Sequence, residues 1–178
     1  MKSETADGFK LAAVDYNYQF QIDVGGQRTE RKKWIHFFDD VKIIMYLAAI
    51  SEYDQVLLED GHTNRLKESV NLFHTILNYQ WFINTAVVLF LNKSDLLQEK
   101  IESGRNPVPD FFPDCPSNEY DMAVEYFKLL FLDQNPNPDV RDIYPHITCA
   151  TDSKNIKVVD TAVQVVIMNV ILNMVGIQ

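Results

Sequence analysis

Ala86-Val87-Val88-Leu89-Phe90-Leu91-Asn92-Lys93-Ser94-Asp95 is an apolar run that breaks off into four polar residues. Unbroken apolar character over so short a length reads as a strand covered on both faces. Val41 to Ile50 (VKIIMYLAAI) is a second such run, and His146 to Ala150 (HITCA) reads as a third. Phe20 to Val24 alternates apolar and polar residues before the glycine pair Gly25-Gly26, the pattern of a short strand. Phe9 to Val14 reads as its partner strand, with Asp15 to Asn17 as the turn. Between these runs the period changes. Leu66, Val70, Phe73 and Leu77 form one helical stripe over Thr63 to Leu77. Met122, Ala123, Tyr126, Phe127, Leu130 and Phe131 do the same over Glu119 to Leu132. From Asn155 onward, Val158, Val159, Ala162, Val163, Val166, Val170 and Met174 continue a long helix that ends near Gly176. Alternating strand and helix predicts a three-layer α/β fold with a mostly parallel sheet, in which ligands bind outside the carboxyl ends of the strands.

The chain of 178 residues suits one domain with a sizeable core, and 47% hydrophobic with 23% charged residues is ordinary globular material. A net charge of −9 argues against a nucleic-acid partner. One stretch runs the other way: Arg28, Arg31, Lys32 and Lys33 cluster between positions 28 and 33, as a solvated helix face or as a partner-binding element. Cys115 and Cys149 make no disulfide framework and lack metal-ligand spacing, so a reducing cytosolic compartment is expected. No basic segment leads into an apolar one as in a secretory signal. Val158 to Ile177 is interrupted by Asp160, Gln164, Asn169 and Asn173, and reads as a buried helix rather than a membrane span. The prolines between Gly104 and Ser117, and those between Asn135 and Asp139, mark loops inserted between elements.

Three motifs carry chemistry. Asp23-Val24-Gly25-Gly26-Gln27 ends a strand with a carboxylate for a metal or its water shell and a glycine amide free to approach a phosphate closely. The same residues also suit a plain glycine turn. In Asn92-Lys93-Ser94-Asp95, the Asp95 carboxylate can accept two hydrogen bonds from guanine's ring N–H and exocyclic amine, a donor pair that adenine lacks. Lys93 can lay its stem across the base, and Asn92 can brace neighbouring loops. Equally, Asp95 suits the N-cap of a helix from Leu96 to Ile101. Thr148-Cys149-Ala150-Thr151 offers a backbone N–H beside a small residue to the guanine carbonyl, or else a strand ending in a turn at Asp152-Ser153. No G-x-x-x-x-G-K-[ST] phosphate loop occurs in the chain.

The runs DVGGQRTERKKWIHFFDDV from Asp23, FLNKSDLLQEKI from Phe90 and TCATDSKN from Thr148 together resemble the α subunit of heterotrimeric G proteins. The resemblance covers nearly everything from Asp23 to the C-terminus. It implies that residues 1–178 are part of a Ras-like GTPase domain of P-loop type, incomplete because the P-loop strand is missing. The implied function is a guanine-nucleotide-binding signal transducer, a GTP-hydrolysing switch that couples receptors to effectors; the alternative is a non-catalytic truncated module that binds βγ or receptor. GTP or GDP and Mg²⁺ are the implied ligands. The implied partners are the βγ dimer, a seven-helix receptor and a downstream effector, with peripheral membrane contact at the inner face of the plasma membrane and no nucleic acid.

By that resemblance Gly26 would donate its amide to the γ-phosphate, and Asp23 would hold Mg²⁺ through water. Gln27 would orient the hydrolytic water, the role of the corresponding glutamine in the family. Val24 and Gly25 would belong to the same phosphate wall, while Asn92, Lys93, Asp95, Cys149, Ala150 and Thr151 would surround the base. Lys33, Trp34 and Phe37 would dock βγ, with Trp34 a suitable hot-spot anchor or else ordinary core. Arg31 and Glu68 would clasp the switch helix to the next one, and Leu58 to Thr63 would be a third switch. The P-loop, the inserted helical domain and the first-switch arginine are absent from the sequence. Counting back from Asp23 puts Met1 at the arginine's place and Glu4 at that of a Mg²⁺-ligating threonine; a two-residue gap makes Thr5 the metal-ligand candidate. Loss of a central strand is expected to leave two strand edges unpaired, and the isolated chain to be poorly stable and to hydrolyse GTP negligibly.

Overall fold

The computed structural model describes residues 9–15, 20–24, 41, 43–83, 85–149, and 161, 164, 165, 168 and 172; for 9–15 and 20–24 it describes the backbone. Among the described residues five strands form one sheet: β1 (Phe9–Asp15), β2 (Phe20–Val24), β3 (Ile43–Ala49), β4 (Ala86–Asn92) and β5 (Ile143–Ile147), in the order β2-β1-β3-β4-β5. β3, β4 and β5 are parallel, while β1 pairs antiparallel with both β2 and β3. β2 therefore points the same way as β3, β4 and β5. This is the expected α/β fold with a mostly parallel sheet, a partial P-loop GTPase architecture.

The runs of β3 and β4 form strands for the reason their sequence suggested, since their residues are buried alternately to either side, whereas β5 is half-buried along its length. Ile44, Tyr46 and Ala48 of β3 and Val87, Leu89 and Leu91 of β4 enter the main core, and Ile43, Val88 and Phe90 enter a smaller one. On the main side lie α1 (Arg65–Leu77), α2 (Ser94–Ser103) and α4 (Tyr120–Leu132), with the one-turn α3 (Val108–Phe111). Asn64 caps α1 by accepting the Lys67 N–H at 3.0 Å, which meets one of the donors a helix start leaves over. Tyr46 packs at a tilt against Phe73, with centroids 4.8 Å apart, and donates its hydroxyl to the Ser69 carbonyl at 2.8 Å. A buried ring of this kind contributes roughly 1.5–3 kcal/mol, provided its hydroxyl is satisfied as it is here.

Arg141 is buried and holds the far end of α1 by donating to the carbonyls of Leu77 at 2.8 Å and Phe82 at 2.6 Å. Burial pulls its guanidinium below its ordinary pKa. Among the described residues no helix is long and apolar enough to cross a membrane.

Three expectations change. Loss of a central strand predicts two unpaired strand edges, yet β3 has a neighbour on both sides, β4 on one and β1 on the other with Ala13 opposite Ile44. β5 runs from Ile143 to Ile147, so Thr148 and Cys149 stand beyond the strand's carboxyl end and not within it. The helix expected to open at Asp95 begins at Ser94, with Lys93 as its N-cap. Of the expected C-terminal helix, the described residues Thr161, Gln164, Val165, Met168 and Leu172 are helical and exposed, the complement of the apolar stripe.

Candidate nucleotide-base site

Parallel register brings the ends of β3, β4 and β5 to one edge. Ala49 stands opposite Asn92, and Leu91 opposite Ile147. Three segments therefore meet at that edge: the turn Ile50–Glu52 after β3, Lys93 after β4, and Thr148 after β5.

The second and third motifs are laced together. Thr148 donates its N–H to Leu91 O at 2.9 Å and its hydroxyl to Asn92 Oδ1 at 3.2 Å. Its carbonyl accepts the Ser94 N–H at 3.2 Å, serving one of the unpaired donors at the start of α2. Asn92 thus braces the neighbouring loop, as its position suggested. Lys93 adopts a left-handed backbone with φ 62°, the one non-glycine with positive φ among the described residues. That conformation costs roughly 1–2 kcal/mol, and it turns the chain from strand into helix within a single residue. Asp95 consequently sits inside the first turn of α2, where the helix dipole favours an acid, and does not serve as its cap.

The turn after β3 supplies a group that sequence reasoning missed. The Glu52 carboxylate is 7% exposed; Lys93 Nζ lies 2.6 Å from Oε1 and Arg65 Nε 3.1 Å from Oε2. The arginine contact is an ion pair whose N–H is not aimed for a hydrogen bond. Arg65 also donates to Gln55 Oε1 at 3.1 Å. Lys100, a turn and a half along α2, donates to Ser51 O at 2.8 Å and to Asp54 Oδ1, so both ends of α2 are tied to the same turn. Tyr53 donates to Asn106 O at 2.5 Å, and burial first, then Asp54, pushes its phenol up to about 12. The signal for Glu52 was its place: an acid three residues past an apolar strand, on the edge already marked by two motifs.

Leu58 to Thr63 forms a tight loop closed by Asp60, which accepts the Thr63 hydroxyl at 2.6 Å, the Thr63 N–H at 3.0 Å and the His62 N–H at 3.1 Å. Those bonds, the Thr63 hydroxyl first, hold the Asp60 carboxyl well below the usual carboxylate range. Glu68 lies in the first turn of α1 and is half-buried. Asp23 and Val24 end β2, whose backbone places them three strands from β4, about 14 Å at ordinary strand spacing. Thr5, Gly25, Gly26, Gln27, Arg31, Lys33, Trp34, Phe37, Ala150 and Thr151 lie outside the described residues. Among the described residues no three His, Cys, Asp or Glu side chains cluster as a metal site.

The family described as "G-protein alpha subunit" matches residues 6–167, a span that holds all three motifs. The chain is 48% identical over 162 residues to the "Guanine nucleotide-binding protein alpha-17 subunit" of Caenorhabditis elegans, and equally so to its namesake in Caenorhabditis briggsae. In both cases the match covers 88% of this chain and 44% of the relative, so the chain spans less than half the length of these relatives. With most of its length matched, the chain belongs to the G-protein alpha subunit family.

Proposed function

We propose that residues 1–178 form part of a Ras-like GTPase domain that binds guanine nucleotides and takes part in G-protein signalling. The observation that carries this is the lacing of Thr148 to Asn92 and Ser94. It holds Lys93, Asp95 and Cys149 around one edge of the sheet, where a planar base can be gripped between two strand ends. Asp95 is the specificity group, taking guanine's two donors. In the whole protein Asp23 and Thr5 would hold Mg²⁺ and Gln27 would orient water for hydrolysis of GTP. Lys33, Trp34 and Phe37 would meet βγ at the inner face of the plasma membrane, between receptor and effector. The relatives' printed names, guanine nucleotide-binding alpha subunits, support the same reading. No phosphate loop is present in this sequence, so base recognition is the part of the function to test in this chain. Competition between GDP and ADP for the purified protein reads it directly. GDP should be preferred at least about tenfold, and Asp95→Ala should abolish the preference, in line with the cost of leaving a designed polar pair unmade. Equal binding of GDP and ADP by the unaltered chain would overturn the assignment.

A further inference from the structure

Glu52 belongs to none of the three motifs, yet its side chain is almost wholly enclosed at the site. Its oxygens are shared between Lys93 Nζ at 2.6 Å and Arg65 Nε at 3.1 Å, with the carboxylate itself 7% exposed. A carboxylate so placed is costly unless both of its sides are matched by cations, and they are. From the geometry we infer that Glu52 is the positioning residue of the base-binding loop: it pins the Lys93 ammonium so that the lysine stem is laid out in advance as a floor that keeps a purine base in line with the Asp95 carboxylate, the group that tells guanine from adenine. This role rests on the proposed base site at the same edge.

Three features support it. First, Lys93 is the strained residue of the loop, with φ 62°, and no side-chain cap stabilises its position at the start of α2. A bond from its own ammonium to a fixed carboxylate is what holds that turn from the side-chain end. Second, a free lysine loses rotamer entropy when it is fixed, so a lysine already held presents its apolar stem to a ligand with less to lose. The Lys93 side chain is 42% exposed while its ammonium is engaged, the state expected of a stem kept open to a ligand. Third, Glu52 is itself fixed. Arg65 holds its other oxygen, Gln55 holds Arg65, and Lys100 ties α2 to the same turn through Ser51 O. The chain of contacts runs from α1 through Glu52 to the base loop.

Glu52→Gln keeps the shape of the side chain and removes its charge. The readout is the ratio of GDP to ADP affinity, measured by competition on the whole chain. A ratio does not depend on how much protein is folded, so loss of stability alone leaves it unmoved. Glu52→Gln should lower the ratio about tenfold, a coupling within the range of contacting charged pairs. Glu52→Asp, which retains the charge, should recover part of it. In a Lys93→Met background, Glu52→Gln should have no further effect, because the group it positions is gone. Should the unaltered chain favour GDP and Glu52→Gln favour it equally, the positioning role fails while the base site stands. A Glu52→Gln effect that persists in full beside Lys93→Met also removes the role, since Glu52 would then act through something else. No preference for GDP in the unaltered chain ends both readings together.

Discussion

His146 lies in β5 with its ring stacked on Phe90, centroids 5.8 Å apart and planes 29° apart. Its Nε2 is buried and has no hydrogen-bond partner among the described residues, and burial lowers its pKa below the ordinary histidine value. The neutral ring is therefore the form that the fold accepts. The unfolded chain takes up a proton as pH falls through about 6.5, whereas the folded chain resists until lower pH. Between those points the unfolded state binds more protons, so the contribution of His146 is fully present above about pH 6.5 and is lost as pH falls towards the depressed value. His146→Phe preserves a ring against Phe90 and removes the titration. Urea midpoints at pH 7.5 and 5.5 should drop less between the two conditions in the variant than in the unaltered chain. Equal drops would place the acid sensitivity elsewhere, in the carboxylates.

α2 shows what an element owes to its two ends. At its start, Lys93 provides the left-handed turn and the Thr148 carbonyl meets the Ser94 N–H. At its finish, Gly104 takes φ 63° and donates its N–H to Ile101 O at 3.1 Å, the arrangement in which glycine alone avoids a steric penalty. A Cβ at Gly104 would meet nothing within 4 Å, so the cost of Gly104→Ala is confined to the backbone. That cost is about 1 kcal/mol, visible as a lower urea midpoint at unchanged slope. A loss well above 2 kcal/mol would mean that the end of α2 is packed more tightly than this geometry allows. The helix itself was legible in the sequence, but its start was not. An acid at the expected N-cap position was the local signal; the partner that opens the helix is a carbonyl from just beyond β5, which no local pattern contains. The same holds for α3, hidden in a proline-rich loop. Pro109 stands in its first turn, where proline is tolerated, and the Val108 N–H is met by Asn118 Oδ1 at 2.8 Å.

At the scale of the whole molecule, hydrophobic period names the strands but not their neighbours. The parallel trio β3-β4-β5 follows from apolar runs separated by helices, and with it the edge on which Asn92, Lys93 and Thr148 meet was legible. Glu52 was not, because its role depends on Lys93 and Arg65 converging from two other elements. The place of β1 was not legible either. It was expected only as the partner of β2, yet it also pairs with β3, which leaves β2 and β5 as the outer strands among the described residues. A strand between two others has no outward side: each of its N–H groups is directed to one neighbour or the other. Ala13 stands opposite both Ile22 and Ile44. Ala13→Pro removes a donor and inserts a ring into a ladder, which proline tolerates only at sheet edges, at strand starts and at bulges. The expected cost is about 3 kcal/mol, a large part of the roughly 5–15 kcal/mol that a domain possesses. Two measurements check it. The urea midpoint should fall steeply, and hydrogen exchange should quicken in β3 at amides directed towards β1 while those directed towards β4 remain slower. An unchanged midpoint with β3 protection intact would mean that β1 is not a central strand.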